Sequence, residues 1–361
     1  MHRRRVLRPD APVLRRAPGE LQIGTDPRWS VRLVGLTSAE EDWLCGLVRP
    51  DDRLAPPSGI TRPRQAELLR LLEEARLLVP SRRSRPDSPA PGNGAADVRV
   101  LAALRPDGAG HRVLAARARA VVAVVGLGRV GAALATHLAT AGVGTLVLHD
   151  PAAVLVTDVG VGAYRLRDVG SAREAAVRRG IAEVTPGVVT GPVEGADGAG
   201  DRLPDVAVVV EHGAADPGRV RGLVGEGVAH LSVVVREADV VVGPFVRPGL
   251  GPCLRCVDLH RADADPCWPQ LAEQLRSAAG PAPEETLLAA SAAAVAAGQV
   301  LAALDGLVPR AATARIEIPA PDAVPRLRET SRHPRCGCGE LARTPPDGAP
   351  LRMSGRGRGA D

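Results

Sequence analysis

Apolar positions along the chain follow two spacings. Residues 120–125, 145–148 and 206–210 are short unbroken apolar runs, and residues 130–140 and 171–184 repeat apolar positions at helical intervals. The middle of the chain therefore predicts strand, helix, strand, helix, strand in that order. Such alternation implies an α/β domain with a Rossmann-like, mostly parallel sheet and helices on both faces, because parallel strands need long crossovers and bury both sides. A different pattern precedes it. Residues 21–23 and 31–34 are extended candidates separated by Gly24-Thr25-Asp26-Pro27, turn chemistry that predicts a hairpin. Thr37 or Ser38 can cap the next helix, with Glu41 three residues after Ser38 and Leu44, Leu47 and Val48 on one stripe. A second helix is expected over 64–77, where Leu68, Leu69, Leu72 and Ala75 recur before Pro80. A strand pair with helices in about 80 residues is the size of a winged helix, so residues 1–80 read as a small α+β docking module. Residues 81–98, rich in Arg, Ser, Pro and Gly at their start, read as a flexible linker; residues 99–343 form the main domain and 344–361 a disordered tail.

Composition changes this picture in two ways. The 46 basic residues are all arginine, so any catalytic role that calls for a lysine ammonium must be met otherwise. Only five aromatics occur, Trp29, Trp43, Tyr164, Phe245 and Trp268, so the core is packed with Val, Leu and Ala. The net charge of +5 gathers partly at the two ends, without a basic helix or aromatic platform, which argues against nucleic-acid binding. No apolar core of signal-peptide length precedes Asp10, so a cytoplasmic protein is expected. Residues 287–304 are apolar but alanine-rich and interrupted by Ser291 and Gln299, the pattern of a buried helix rather than a membrane span.

Two motifs carry chemistry. Gly126-Leu127-Gly128-Arg129-Val130-Gly131 lies between an apolar strand and a helix. In that context Gly126 permits the tight turn, Gly128 lets phosphate oxygens approach the backbone, and Gly131 allows close helix–sheet packing, with the helix N-terminus facing the anion. Asp150, 19 residues after Gly131, ends the second strand, where its carboxylate can accept from ribose hydroxyls. This arrangement serves NAD as well as ATP. Cys253 and Cys256 form one close pair and Cys336 and Cys338 another, a set that fits tetrahedral, structural zinc in a reducing compartment. Cys45 sits on a helical stripe and reads as core; Cys267, in Asp265-Pro266-Cys267-Trp268-Pro269, is the only candidate for a reactive thiol.

The order of glycine loop, Asp150, Cys253/Cys256 and second cysteine pair resembles the HesA/MoeB/ThiF family of ubiquitin-activating-enzyme-like adenylyltransferases over residues 119–340. Arg236 and Gly251-Pro252-Cys253-Leu254-Arg255-Cys256 add to the resemblance. It implies ATP and Mg2+ beside Zn2+, a homodimer, and activation of the C-terminal carboxylate of a small ubiquitin-like protein or peptide. By resemblance Asp150 would hold the ribose, Arg129 and Arg173 the phosphates, and Glu211 the magnesium. Departures accompany these matches. The family's Asn-x-x-Arg segment falls on Asp158-Val159-Gly160-Val161 without the arginine, leaving Arg165 or Arg167 as substitutes; Arg173 stands for a lysine; and Glu211-His212-Gly213 stands near the metal-binding aspartate.

The N-terminal module is similar to that of the leader-peptide-binding partner proteins of azole and thiazoline peptide cyclodehydratases, in which a precursor peptide is added as a strand to a sheet edge. Two functions are therefore open: an adenylyltransferase, or a catalytically degenerate scaffold that presents a peptide to a separate modifying enzyme.

Overall fold

The computed structural model describes residues 5–8, 11–47, 59–80, 94–105, 107–160, 162, 164–191, 202–277 and 283–340. The chain divides into two compact units, Met1–Ala118 and Arg119–Asp361.

In the first unit the expected hairpin is present. Strands β3 (Glu20–Ile23) and β4 (Val31–Val34) pair antiparallel, and β2 (Val13–Ala17) adds on the other side of β3. A second pair joins β1 (Arg5–Leu7) to β5 (Leu78–Pro80). Helix α1 (Ser38–Gly46) is capped by Thr37, whose hydroxyl accepts from the Glu40 amide while Glu40 accepts from the Thr37 amide. The box thus uses Glu40 rather than Glu41. Helix α2 (Arg62–Glu74) ends earlier than the expected 77, because Arg76 takes a left-handed φ of 57° and frees Leu78–Pro80 to pair with β1. Leu21, Ile23, Leu44, Leu68, Leu72 and Leu77 fill the core between these elements, with Cys45 partly buried against it.

The unit is larger than the expected 1–80. Helices α3 (Ala95–Leu104) and α4 (Gly110–Arg117) belong to it, so the chain from residue 95 to 98 is helix rather than linker; residues 81–93 lie outside the described residues, as does the tail from 341. The buried Arg8 guanidinium makes the join, donating to the carbonyls of Arg76 and Ala103. A Cβ at Gly110 would stand 2.1 Å from the Val98 carbonyl, so glycine there allows α3 and α4 to pack closely.

The second unit is built on an eight-stranded sheet in the order β13-β12-β11-β10-β9-β6-β7-β8. Strands β6 (Val121–Val125), β7 (Thr145–His149), β8 (Val189–Thr190), β9 (Val206–His212) and β10 (Ala229–Val235) are parallel. β11 (Asp239–Val246), β12 (Ala314–Pro319) and β13 (Arg326–Glu329) extend the sheet antiparallel. Helices α5 (Arg129–Thr140) and α10 (Thr286–Leu304) cover one face and pack on each other, with α6 (Arg173–Val184) against α5. The residue 287–304 segment is accordingly a core helix: Ala289, Ala292, Ala293, Ala296 and Val300 are buried in the same cluster as the sheet. On the other face α7 (Arg221–Gly225) and the start of α8 (Leu254–Ala264) contribute Leu223 and Leu254 to a smaller cluster with Val209. Helix α9 (Trp268–Ser277) follows α8. The strand order reverses between β6 and β9, and ligands of such sheets lie in the crevice at the carboxyl ends of the strands at that point.

Candidate functional site

The glycine loop opens at this reversal. Gly126 has φ 87°, and a Cβ on it would stand 2.5 Å from the Val210 carbonyl of the neighbouring strand. A Cβ on Gly131 would stand 1.8 Å from the Gly126 carbonyl, so α5 approaches the loop as only glycine allows. Asp150, buried at the end of β7, braces the turn: its Oδ2 accepts from the Leu127 amide at 2.7 Å and its Oδ1 from the Ala152 amide at 2.9 Å. The Tyr164 hydroxyl donates to the Leu127 carbonyl at 2.6 Å, and burial pushes that phenol well above its ordinary range.

Arg173 does not point freely at a phosphate. Its NH1 donates to Asp150 Oδ2 at 3.0 Å, and its Nε and NH2 donate to Asp158 Oδ2 at 3.1 and 2.7 Å, with all three side chains buried. Burial works against the Asp150 carboxylate, but the two amides and Arg173 outweigh it and hold the group below its ordinary value. Three acceptor positions of Asp150 are thus used. A carboxylate offers about four, which leaves one for a ribose hydroxyl. Arg165 and Arg167 do not substitute for the missing arginine, since both pair with Glu183 on the surface; Val161 itself lies outside the described residues.

A residue that the sequence reading did not single out enters the loop. Glu284 Oε2 accepts from the Val130 amide at 2.6 Å, and Oε1 lies 2.9 Å from His212 Nε2. A Cβ on Gly128 would stand 2.2 Å from that Oε1. Arg129, expected on phosphate, instead donates to the Glu284 carbonyl at 2.7 Å, the Thr286 hydroxyl at 3.1 Å and the Val159 carbonyl at 3.3 Å. Its buried Nε finds no partner among the described residues.

Glu211 is not part of this group. Strand side chains alternate, and Val206, Val208 and Val210 face the α5/α10 core while Val209 faces α7, so His212 and Glu211 fall on opposite faces. Glu211 is buried there, accepting from the Asp216 amide at 3.3 Å with Arg219 at 3.8 Å. Desolvation pushes its carboxyl up to about 7. A magnesium ligand beside the glycine loop would have to come from elsewhere.

The cysteine expectation fits a single site. Cys253, at the start of α8, Cys256 in its first turn, and Cys336 and Cys338 near the chain's end place their four sulfurs within 4.8 Å of one another. Sulfur separations are 3.8 Å for Cys253–Cys256, 3.7 Å for Cys253–Cys336 and 3.5 Å for Cys256–Cys338. Four thiolates about 2.3 Å from a tetrahedral zinc would be about 3.8 Å apart, so the donor set and spacing suit that ion. Nearby, His333 bonds Asp263 at 2.7 Å and packs edge-on against His260, fixing the second pair beside α8. Cys267 is exposed and separate from this cluster.

Comparison with known proteins agrees with this construction. The protein has the fold of E. coli MccB bound to MccA-N7isoASN, with a TM-score of 0.66, 16% identity, and coverage of 93% of this chain and 99% of that one. The structure of E. coli MccB with ATP gives 0.65, 17%, 92% and 99%. PaaA gives 0.64, 16%, 90% and 99%. No curated protein sequence matches significantly. The glycine loop, the brace at Asp150 and the four-cysteine cluster all lie within residues 104–338, which match the ThiF family model, and the chain belongs to the ThiF family.

Proposed function

We propose that the chain activates the C-terminal carboxylate of a peptide with ATP. A carboxylate oxygen attacks the α-phosphorus, the bond to the bridging oxygen breaks, and the products are an acyl adenylate and pyrophosphate. The observation that carries this reading is the glycine loop at the strand reversal with Asp150 beside it, in a chain of the ThiF family. Solved structures of one relative favour ATP over NAD and a peptide-like substrate: MccB, described as a microcin C7 biosynthetic enzyme, has been captured with ATP and with AMPCPP and MccA.

Under this reading the first amides of α5 and the Arg129 guanidinium receive phosphate oxygens, and Asp150 accepts a ribose hydroxyl with its remaining position. Arg173 acts through Asp150 and Asp158 as a positioning residue, because both carboxylates already hold it. No step is assigned to magnesium on Glu211, which faces away from the loop; magnesium would arrive with the nucleotide. Zinc on the four cysteines would be structural, since a closed all-sulfur site leaves no position for a substrate. In the first unit, β4 pairs only with β3 among the described residues, and Val34 is exposed beside it. That edge can take a precursor peptide as an added strand. The carboxylate belongs to a small ubiquitin-like protein or a precursor peptide, and a homodimer and a cytoplasmic setting that keeps the thiols reduced complete the proposal; a separate modifying enzyme belongs to the scaffold reading.

The test is ATP–pyrophosphate exchange by the zinc-loaded protein with candidate peptides. Exchange is expected with a free C-terminal carboxylate and not with the amidated peptide; no exchange with any candidate that binds the first unit would count against the reading. The second reading, a docking scaffold, is favoured by Glu284 in the phosphate cradle and by Glu211 facing away from the loop, in the Glu211-His212-Gly213 stretch near which the family's metal-binding aspartate falls. It expects peptide binding without exchange.

A further inference from the structure

Two consecutive glutamates precede α10, and they do different work. Glu285 caps its own helix, its carboxylate accepting from the Leu287 and Leu288 amides at 2.8 and 2.9 Å. Glu284 caps another helix: its carboxylate sits on the first turn of α5, 2.6 Å from the Val130 nitrogen, with only 7% of the side chain exposed.

This position is the one an anionic ligand of the loop would take. The N-terminus of α5 carries partial positive charge and unpaired amides, and the first anion to reach it is stabilised there. Glu284 meets each requirement of such a ligand. It bonds a loop amide, lies beside His212, and uses the space that the missing Gly128 side chain leaves, where a Cβ would be 2.2 Å from Oε1. Arg129, the only arginine in the loop, is occupied on the same segment through the Glu284 carbonyl and the Thr286 hydroxyl. A triphosphate cannot share the cradle with a buried carboxylate, because the two anions would compete for the same amide and repel each other at close range.

We propose that Glu284 is a built-in competitor for the phosphate cradle, so that ATP binds only when the 284–286 segment lifts its carboxylate from α5. This inference rests on the ATP reading of the site. Lifting of the segment frees the Val130 amide and removes two of the three acceptors of the Arg129 guanidinium, leaving the Val159 carbonyl. The closed form is therefore a phosphate site held shut by its own chain, and nucleotide affinity reports how readily that segment leaves.

The experiment is titration of the full-length, zinc-loaded protein with Mg-ATP, comparing the unaltered chain with Glu284→Gln and Glu284→Ala. Glutamine keeps the shape and removes the charge; alanine removes both. Losing a competing charge-assisted hydrogen bond should tighten binding about ten- to a hundredfold in Glu284→Ala, with Glu284→Gln in between. Equal affinities in all three would overturn the proposal while leaving the ATP reading standing, and weaker binding in the variants would overturn it by showing that Glu284 helps to hold the nucleotide. No binding by any of the three, with zinc content and circular dichroism unchanged, would overturn the ATP reading and this inference with it.

Discussion

Glu211 is a carboxyl group placed where ionisation is costly, and its substitution gives a measurable signature. It lies on the α7 face of β9, 6% exposed, and among the described residues its only amide donor is Asp216 at 3.3 Å to each oxygen. Desolvation raises it from an ordinary 4.5 to about 7, against partial compensation from the Asp216 amide and Arg219. At ~1.4 kcal/mol per pH unit, holding the ionised form in the fold costs ~3 kcal/mol. The sign follows from the direction. A carboxyl raised in the folded state contributes stability below its unfolded value and loses it as pH rises through about 7. Glu211→Gln removes the titration and keeps the shape. Its stability relative to the unaltered protein should improve by ~2 kcal/mol or more between about pH 5 and pH 8.5. Urea denaturation of both proteins at those two pH values measures the difference directly. Parallel pH profiles would refute the reasoning and show that Glu211 is better solvated or paired than the structure makes it.

Other outcomes follow from the same geometry. Arg173→Met should destabilise the second unit by about 3–5 kcal/mol, because it leaves the Asp150 and Asp158 carboxylates buried without their shared cation; a fall in melting temperature of the same size as for a surface arginine such as Arg167→Met would contradict it. Elemental analysis should find one zinc per chain, lost in Cys336→Ser. Since structural zinc contributes ~10 kcal/mol or more in small peptides, zinc removal should expose residues 331–340 to proteolysis; an unchanged cleavage pattern would count against the clamp.

Much of the second unit could be read from the chain because its central strands are buried on both faces. Val121–Val125 and Val206–His212 are nearly continuous apolar runs, and the helices between them repeat at helical spacing. The glycine loop and the cysteine pairs were legible for a related reason, as each needs residue types that few other structures require. The edge of the sheet was not. β13, Arg-Leu-Arg-Glu, is exposed along its whole length and carries no alternation that distinguishes it from a loop. Helices α3 and α4 read from sequence as linker and main domain, because contacts that join them to the first unit, such as Arg8 to Ala103, span some 95 residues.

The site shows the same limit. Glycine, strand and Asp150 are local to one βαβ unit, but Glu284 reaches the loop from 154 residues along the chain, and only the fold of α10 against α5 brings it there. A sequence signal did exist in the doubled Glu284-Glu285 before an apolar helix, where one residue suffices for the cap. Likewise, that Glu211 and His212 diverge to opposite faces follows from strand alternation once β9 is known to continue through His212 rather than stop at Val210. Arg173 was placed on phosphate by resemblance; its two buried aspartates could not be seen from spacing because Asp158 approaches through a short 3-10 turn.

The glycine loop and Asp150 are proposed to form an ATP site. Calorimetric titration of the zinc-loaded protein with Mg-ATP, and in parallel with NAD, tests it most directly, using Asp150→Ala as the control. Saturable binding of one Mg-ATP per chain is expected, with none of NAD and loss of binding in Asp150→Ala. Binding of NAD in place of ATP, or of neither nucleotide by the unaltered chain and by Glu284→Ala, would contradict it.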